Sequence, residues 1–318
     1  MKTNWLALLA LSLAPAVYAA DKPTFTTVEA ANAAGPDYAL QGEYAGEKLG
    51  AQVIALSDDK FRAVFHPGGL PGAGWDKKTK VEIPGALTGE KVTFTGPEGG
   101  WTATVSGETL TGATDKGDKF TLKKTSRVSP TMGAKAPDGA VVLFDGTSAD
   151  AWAGGHMDER KLLFAGPKSK QSFTNFTLHV EFMLPFKPHG RGQDRGNSGV
   201  YLQDRYEVQV LDSFGLKGEN NECGGIYTKA KPSENMCFPP LTWQTYDIEF
   251  TTALYGDDGK KTKNAVATIK HNGVIIHDKL EINGSTGGGK KEDASGGQIQ
   301  LQGHGNPVFY RNVWIVPK

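Results

Sequence analysis

Apolar and polar residues alternate along most of this chain, in runs too short for helices. Between residues 41 and 125 the runs QGEYAG, AQVIALSD, KFRAVFHP, KVEIPGALTG, EKVTFTGP, GWTATVSG, ETLTGAT and DKFTLKKT are separated by Gly, Asp and Pro. Alternation with period two buries one face of a strand, and the Gly or Pro after it marks a turn. The pattern predicts a small antiparallel β domain over residues 21–127, entered through one short helix at Thr27–Ala34. HPGGLPGAGWD, residues 66–76, is too rich in Gly and Pro for a strand and reads as a loop with Trp75 as its contact. SRVSPTMGAKAPDGA loses all periodicity, and a linker is expected over 128–139.

From residue 140 the alternation strengthens. In FTLHVEFMLP, Leu178, Val180, Phe182 and Leu184 share one face and His179 and Glu181 the other. WQTYDIEF sets Tyr246, Ile248 and Phe250 against Trp243, Thr245, Asp247 and Glu249, and Asn272-Gly273 is a hairpin turn between two more strands. GQIQLQG and PVFYRNVWIV complete the series. Many strands at regular spacing without a long helix predict an all-β fold, with residues 140–318 forming a two-sheet antiparallel sandwich or jelly roll.

Composition narrows the function. Lys plus Arg and Asp plus Glu number 35 each, so no net field draws nucleic acid to the protein. MKTNWLALLALSLAPAVYAA has a lysine, a short apolar core and small residues at its end, the pattern of a signal peptide over residues 1–20. A secreted or periplasmic protein that does not span the membrane is expected. In that compartment Cys223 and Cys237, the only two cysteines, are expected to pair and staple a surface loop. Closing a loop of that size stabilises by roughly 3 kcal/mol in the chain-entropy model.

Two polar clusters interrupt the strands. In GNSGVYLQDRYEVQVLDSFG, period two puts Arg205, Glu207 and Gln209 on one face, and Asp212 follows where the strand ends. In GQIQLQGHGNPV, Gln298, Gln300 and Gln302 share a face and lead to His304 and Asn306 in a Gly-flanked turn. Amides, a guanidinium and carboxylates in a row suit sugar hydroxyls, which both donate and accept; an Arg–Glu surface pair is the plainer alternative, worth about 0–1 kcal/mol. PHGRGQDRGN, 188–197, reads as a mobile surface loop able to close over a ligand, and GGGKKEDASGG, 287–297, as a solvated turn. PGGLPGAG lacks the Lys-Ser/Thr ending of a phosphate loop, so nucleotide binding has no support.

LFDGTSADAW (143–152), GNSGVYLQDRYEVQVLDSFG (196–215), CGGIY (223–227), WQTYDIEF (243–250), HNGV (271–274) and LQGHGNPVFYRNVW (301–314) occur in an order and spacing that resemble the 3-keto-disaccharide hydrolase domain family. The resemblance covers about residues 138–318 and implies a concanavalin A-like glucanase sandwich. In laminarinase-type relatives of that fold, acidic residues alternate along one strand; the present chain has Glu207, Gln209 and then Leu211 at that parity. The missing second carboxylate argues against ordinary retaining hydrolysis, which needs two carboxyl groups about 5–5.5 Å apart.

The implied substrate is a 3-keto-glycoside, whose C2 proton is acidified by the neighbouring carbonyl. A base removes it and the C1 oxygen leaves, after which water adds. Candidates for the base are Glu207, Asp212 and His304, which are also the candidate ligands of a divalent metal ion; no organic cofactor is expected. Asn197, Gln209, Gln302 and Asn306 are expected to orient hydroxyls or the carbonyl, Arg205 to stabilise the enolate, and Tyr201 and Trp243 to stack on the sugar ring. The alternative is a carbohydrate-binding module of the same fold without catalysis.

Overall fold

The computed structural model describes residues 22–318, so the expected signal peptide lies outside the described residues. A short helix, Val28–Ala33, is capped by Thr27, whose side chain accepts from the Ala30 amide at 3.2 Å. A one-turn helix, Asp37–Leu40, leads into the first strand.

The meander over residues 42–125 closes on itself. Gly42–Ala45 pairs with Leu49–Ala55 on one side and with Lys119–Thr125 on the other, making a closed barrel of eight antiparallel strands. The alternation seen in the sequence is the burial pattern: Lys91–Thr95 reads exposed-buried-exposed-buried-exposed, with Val92 and Phe94 inside. Tyr44, Phe61, Phe65 and Phe94 fill the barrel, each contributing roughly 1.5–3 kcal/mol by burial.

Two sheets follow. The five-stranded sheet runs in the order Trp152–Ala153, Lys168–Phe173, Gly297–Leu301, Asn197–Leu202 and Tyr206–Leu211. The seven-stranded sheet runs Leu163–Phe164, Phe309–Pro317, Phe176–Met183, Trp243–Thr251, Ala265–His271 and Val274–Ile282, with Val141–Phe144 also on Phe309–Pro317. Leu178, Val180, Phe182, Val200, Val208, Ile299 and Ile315 interdigitate between them as one core. The sandwich predicted for residues 140–318 is therefore present, and the barrel precedes it. Among the described residues no helix is long and apolar enough to cross a membrane.

Several expectations are corrected. Residues 126–134 are a strap laid across the outer face of the seven-stranded sheet, not a free linker. Ser129 Oγ meets Thr245 Oγ1 at 2.6 Å, Thr131 Oγ1 donates to Asp247 at 2.6 Å, and the Gly133 amide donates to Glu181 at 2.6 Å. His179 and Glu181, opposite the core, are thereby fully buried. The two cysteines are neighbouring free thiols inside the sandwich core, not a staple on a surface loop; Cys223 Sγ lies 3.2 Å from the Tyr246 hydroxyl. The loop at 66–76 makes its contact through the Gly72 amide, which donates to Glu234 at 2.5 Å, while Trp75 packs on His66.

Candidate active site

Strand parity sets the outer face of the five-stranded sheet. Tyr206, Val208 and Val210 enter the core, so Glu207 and Gln209 face out. Val200 and Leu202 are core in the next strand, leaving Asn197, Gly199 and Tyr201 outward; beyond it Ile299 and Leu301 are core and the row of glutamines ends at Gln302. Four loops, carrying Gln193, Tyr227, Gly287–Gly288 and His304, raise walls around this floor. The result is a pocket of about 300 Å³ lined by Gln193, Asn197, Tyr201, Glu207, Gln209, Tyr227, Gly287, Gly288, Gln302 and His304.

Glu207 is the one carboxylate among these lining residues and is only 2% exposed. Burial pushes its pKa up from 4.5 to about 7, and a hydrogen bond from Tyr201 opposes the rise without cancelling it. The Tyr201 hydroxyl sits 2.9 Å from Glu207 Oε2 and 2.7 Å from the Gly287 carbonyl, and accepts from Gln302 Nε2 at 3.3 Å. One phenolic proton cannot serve both acceptors. An ionised Glu207 takes it; a protonated Glu207 donates to the phenol oxygen and lets Tyr201 turn to Gly287.

The Glu207 side chain lies across Gly199. A Cβ there would come 2.1 Å from Glu207 Oε1, so glycine leaves the space this placement of the carboxylate occupies. Gln209 extends the row in either of two amide orientations. Its nitrogen donates to Gln193 Oε1 at 2.8 Å or, turned over, to the Ser198 carbonyl at 2.9 Å and Glu207 Oε1 at 3.1 Å. Asn197 donates to the Gln193 carbonyl at 2.9 Å, while Asn197 Oδ1 and Gln302 Oε1 are buried without a partner. Such acceptors cost about 1–3 kcal/mol each until a hydroxyl or water reaches them. A carboxylate near neutrality, amides with spare acceptors and the half-buried Tyr227 ring at one wall can bind a small polyhydroxylated ring and take a proton from it.

The other candidates lie elsewhere. Asp212 is 1% exposed and paired with Arg195 at 2.8 Å, its second oxygen accepting from the Phe214 amide at 3.2 Å. It sits one residue past the strand and outside the pocket. Arg205 belongs to the turn after Gln203 and Asp204, both at positive φ, so the strand parity drawn through it does not hold. Its guanidinium grips Asp293 at 2.6 Å and the Ser295 carbonyl at 3.0 Å, away from Glu207. Trp243 begins a strand of the other sheet, with Arg311 stacked over it at 4.0 Å. His304 is exposed at the pocket mouth, and Asn306 faces Lys187 at 3.5 Å outside the lining. Tyr201 presents its hydroxyl rather than a ring face, since the ring is buried.

A metal centre built on Glu207, Asp212 and His304 does not fit this arrangement. Asp212 is consumed by Arg195, and no group of three His, Cys, Asp or Glu side chains suited to a metal occurs among the described residues.

The sequence reading passed over Gln193, Gly199, Tyr227, Gly287 and Gly288. The stretch 287–297 is a pocket wall, not merely a solvated turn, held by Tyr206 on Glu292 at 2.7 Å and Arg205 on Asp293. Tyr227 closes the CGGIY segment, whose main chain pairs with Glu207 and Gln209, and Gln193 lies in the 188–197 loop read as able to close over a ligand; those two segments were the available signals. A cleft of similar size, about 310 Å³, lies between barrel and sandwich, but its buried carboxylate Glu43 is neutralised by Arg127 at 2.5 Å and offers no free base.

A model of the 3-keto-alpha-glucoside-1,2-lyase-like domain matches residues 139–316. Among solved structures, a candidate glycosyl hydrolase of Parabacteroides distasonis aligns at 33% identity and a TM-score of 0.54, over 57% of this chain and 85% of its own. Two more structures of that description and organism align at 18% and 19% identity, with TM-scores of 0.42 and 0.40, over 57% and 56% of this chain and 94% and 99% of theirs. No curated protein matches.

Proposed function

The chain belongs to the 3-keto-alpha-glucoside-1,2-lyase-like domain family through residues 139–316, and we propose that it cleaves 3-keto-glycosides by proton abstraction at C2. Family membership and the glycosyl hydrolase description of its P. distasonis neighbour support a glycoside-acting protein in general. The finer reading rests on one observation: the pocket holds a single carboxylate, and burial tunes it to about 7. Retaining or inverting hydrolysis calls for two carboxyl groups flanking the bond. Elimination calls for one base matched to the working pH.

In this reading Glu207 removes the C2 proton. The electrons left at C2 form the C1–C2 double bond as the C1–O bond breaks, and the departing oxygen is protonated at the pocket mouth, where His304 and solvent stand. The Gln302 amide nitrogen spends one N–H on Tyr201 and has its second for the C3 carbonyl oxygen, where enolate charge develops. Tyr201 holds Glu207 in place and returns its hydrogen bond to Gly287 once Glu207 carries the proton. Water adding across the new double bond then gives the free 3-keto sugar. Secretion or a periplasmic location belongs to the same proposal, because the leader pattern at residues 1–20 carries it.

The purified mature protein is incubated with a 3-keto-glucoside and with its unoxidised parent, beside Glu207→Gln. Loss of the keto sugar alone, reduced 10²–10⁴-fold in the variant, is the expected result. Equal cleavage of the parent glucoside would refute the elimination. Saturable sugar binding without turnover would make the domain a carbohydrate-binding module.

A further inference from the structure

The barrel contributes no residue to the pocket lining, yet hydrogen bonds run from it to the catalytic floor. Its strand Leu49–Ala55 ends at two carbonyls that point to segment 187–197 of the sandwich. Arg191 Nη2 donates to Leu56 O at 2.6 Å, and Arg195 Nη2 donates to Ala55 O at 3.4 Å. The same two guanidiniums gather the segment itself: Arg191 Nη1 reaches the Pro188 and Gly190 carbonyls at 2.7 Å each, and Arg195 Nε holds Asp212 at 2.8 Å. Between them a single turn of 3-10 helix, Gly192–Asp194, carries Gln193. Its Oε1 accepts from Asn197 at 3.1 Å and faces Gln209 at 2.8 Å, and its Nε2 donates to the Asn221 carbonyl at 2.8 Å. In that orientation Gln209 is tied to Gln193; turned over, its nitrogen reaches Glu207 Oε1 at 3.1 Å instead, so Gln193 governs which way the amide beside Glu207 points. Packing supports the same joint, since Ile54 and Val64 of the barrel bury Phe214, and a Cβ on Gly215 would strike Ile54 at 2.4 Å.

We infer that the barrel is a positioning element for the sandwich's active site, acting through Arg191 and Gln193 on the amides that surround Glu207. The segment expected to be a mobile loop is instead clamped, and of its two pocket residues, Gln193 and Asn197, Gln193 is the hub of the polar floor. Arg191 is exposed, so removing it leaves no buried charge behind. Arg195 is different: its loss would strand the buried Asp212 and confuse folding with function. The inference rests on reading the Glu207 pocket as the catalytic site.

The test uses the full chain with Arg191→Ala and Arg191→Lys. With Arg191→Ala, kcat falls about fivefold to tenfold with KM changed less, and the thermal midpoint holds within a few degrees. The pH limb assigned to Glu207 moves to lower pH, because a loosened wall admits water around the carboxylate. Arg191→Lys restores part of the loss. Hydrogen–deuterium exchange on both variants reads the clamp without any substrate, and faster exchange over 188–197 and 206–212 is expected for the alanine variant. Unchanged kcat and pH profile in a folded Arg191→Ala protein would overturn the inference. Should the parent protein turn over no keto sugar, the function proposed above fails, and unchanged exchange over these segments would then separately overturn the clamp.

Discussion

Two glutamates occupy equivalent places on the two sheets of one sandwich. Each stands on an outward strand face beside apolar core positions, and each is almost completely buried: Glu181 is 0% and Glu207 2% exposed. Their chemistry is opposite. Burial alone would raise Glu181, but His179, Asn312, Arg311 and the Gly133 amide all donate to it and hold its pKa down at about 2. Glu207 has burial and one phenol, and rises to about 7. What separates a structural carboxylate from a reactive one here is the number of donors that reach it, not its depth or its strand position.

The sharpest way to break this comparison is to neutralise each glutamate in turn. Glu207→Gln is expected to remove 10²–10⁴-fold of the rate with no loss of stability at pH 7 or above. Glu181→Gln is expected to do the reverse, leaving turnover near the parent level and lowering unfolding stability by about 1–3 kcal/mol, because Arg311 and the Gly133 amide lose a charged acceptor while His179 keeps Asp247. Parallel denaturant melts and rate assays check both. A rate loss in the Glu181 variant matching that of the Glu207 variant would erase the distinction.

Next in size is the pH dependence of stability, which has opposite sign at the two sites. Glu207 is raised in the folded state, so its ionisation weakens the fold as pH climbs from 4.5 to about 7; that gap corresponds to about 3 kcal/mol. Melts of Glu207→Gln against the parent are thus expected to coincide near pH 4 and to favour the variant above pH 7. Glu181 is lowered, so its contribution is fully present above pH 4.5 and is lost as pH falls through about 2. In Glu181→Gln the stability deficit should shrink over that acid range.

Gly199→Ala is expected to act through space alone. The added methyl meets Glu207 Oε1 at 2.1 Å and pushes the carboxylate off its place, costing about tenfold to a hundredfold in kcat while KM moves less. The smallest effect belongs to Tyr201→Phe. It removes the hydrogen bond that restrains the rise of Glu207, so the rising limb of kcat/KM should move to higher pH. A limb that stays in place would mean that the phenol is not coupled to the titrating group.

The sequence read the floor of the site better than its walls. Strand parity placed Glu207, Gln209 and Gln302 on outward faces, because a period of two leaves no freedom over which face a strand residue takes, while Asn197 and Tyr201 came with the family resemblance. Parity fails where a strand ends. Arg205 and Asp212 sit just outside Tyr206–Leu211, where a turn with two positive φ angles and a loop clamped by Arg195 redirect them. Gln193, Tyr227 and Gly287 arrive from segments distant in sequence, and local pattern carries no information on which loops will meet. Trp243 failed for another reason: both sheets have polar outer faces, and alternation does not say which one a strand joins. The eight-strand meander was legible, but its closure was not, because pairing of residues 43–45 with 123–125 is a non-local contact.

That closure bears on the order in which the two units assemble. Every strand pairing of the barrel is complete once residue 125 is available. The sandwich cannot finish so early, because Phe309–Pro317 lies between Leu163–Phe164 and Phe176–Met183 and also receives Val141–Phe144. The strap is bound to the same late strand, its Ala134 carbonyl accepting from Asn312 and Trp314 at 3.0 Å each. During synthesis the barrel is therefore able to mature while half the sandwich is still unmade, presenting a finished template against which segment 187–197 settles before the sheet behind it is complete.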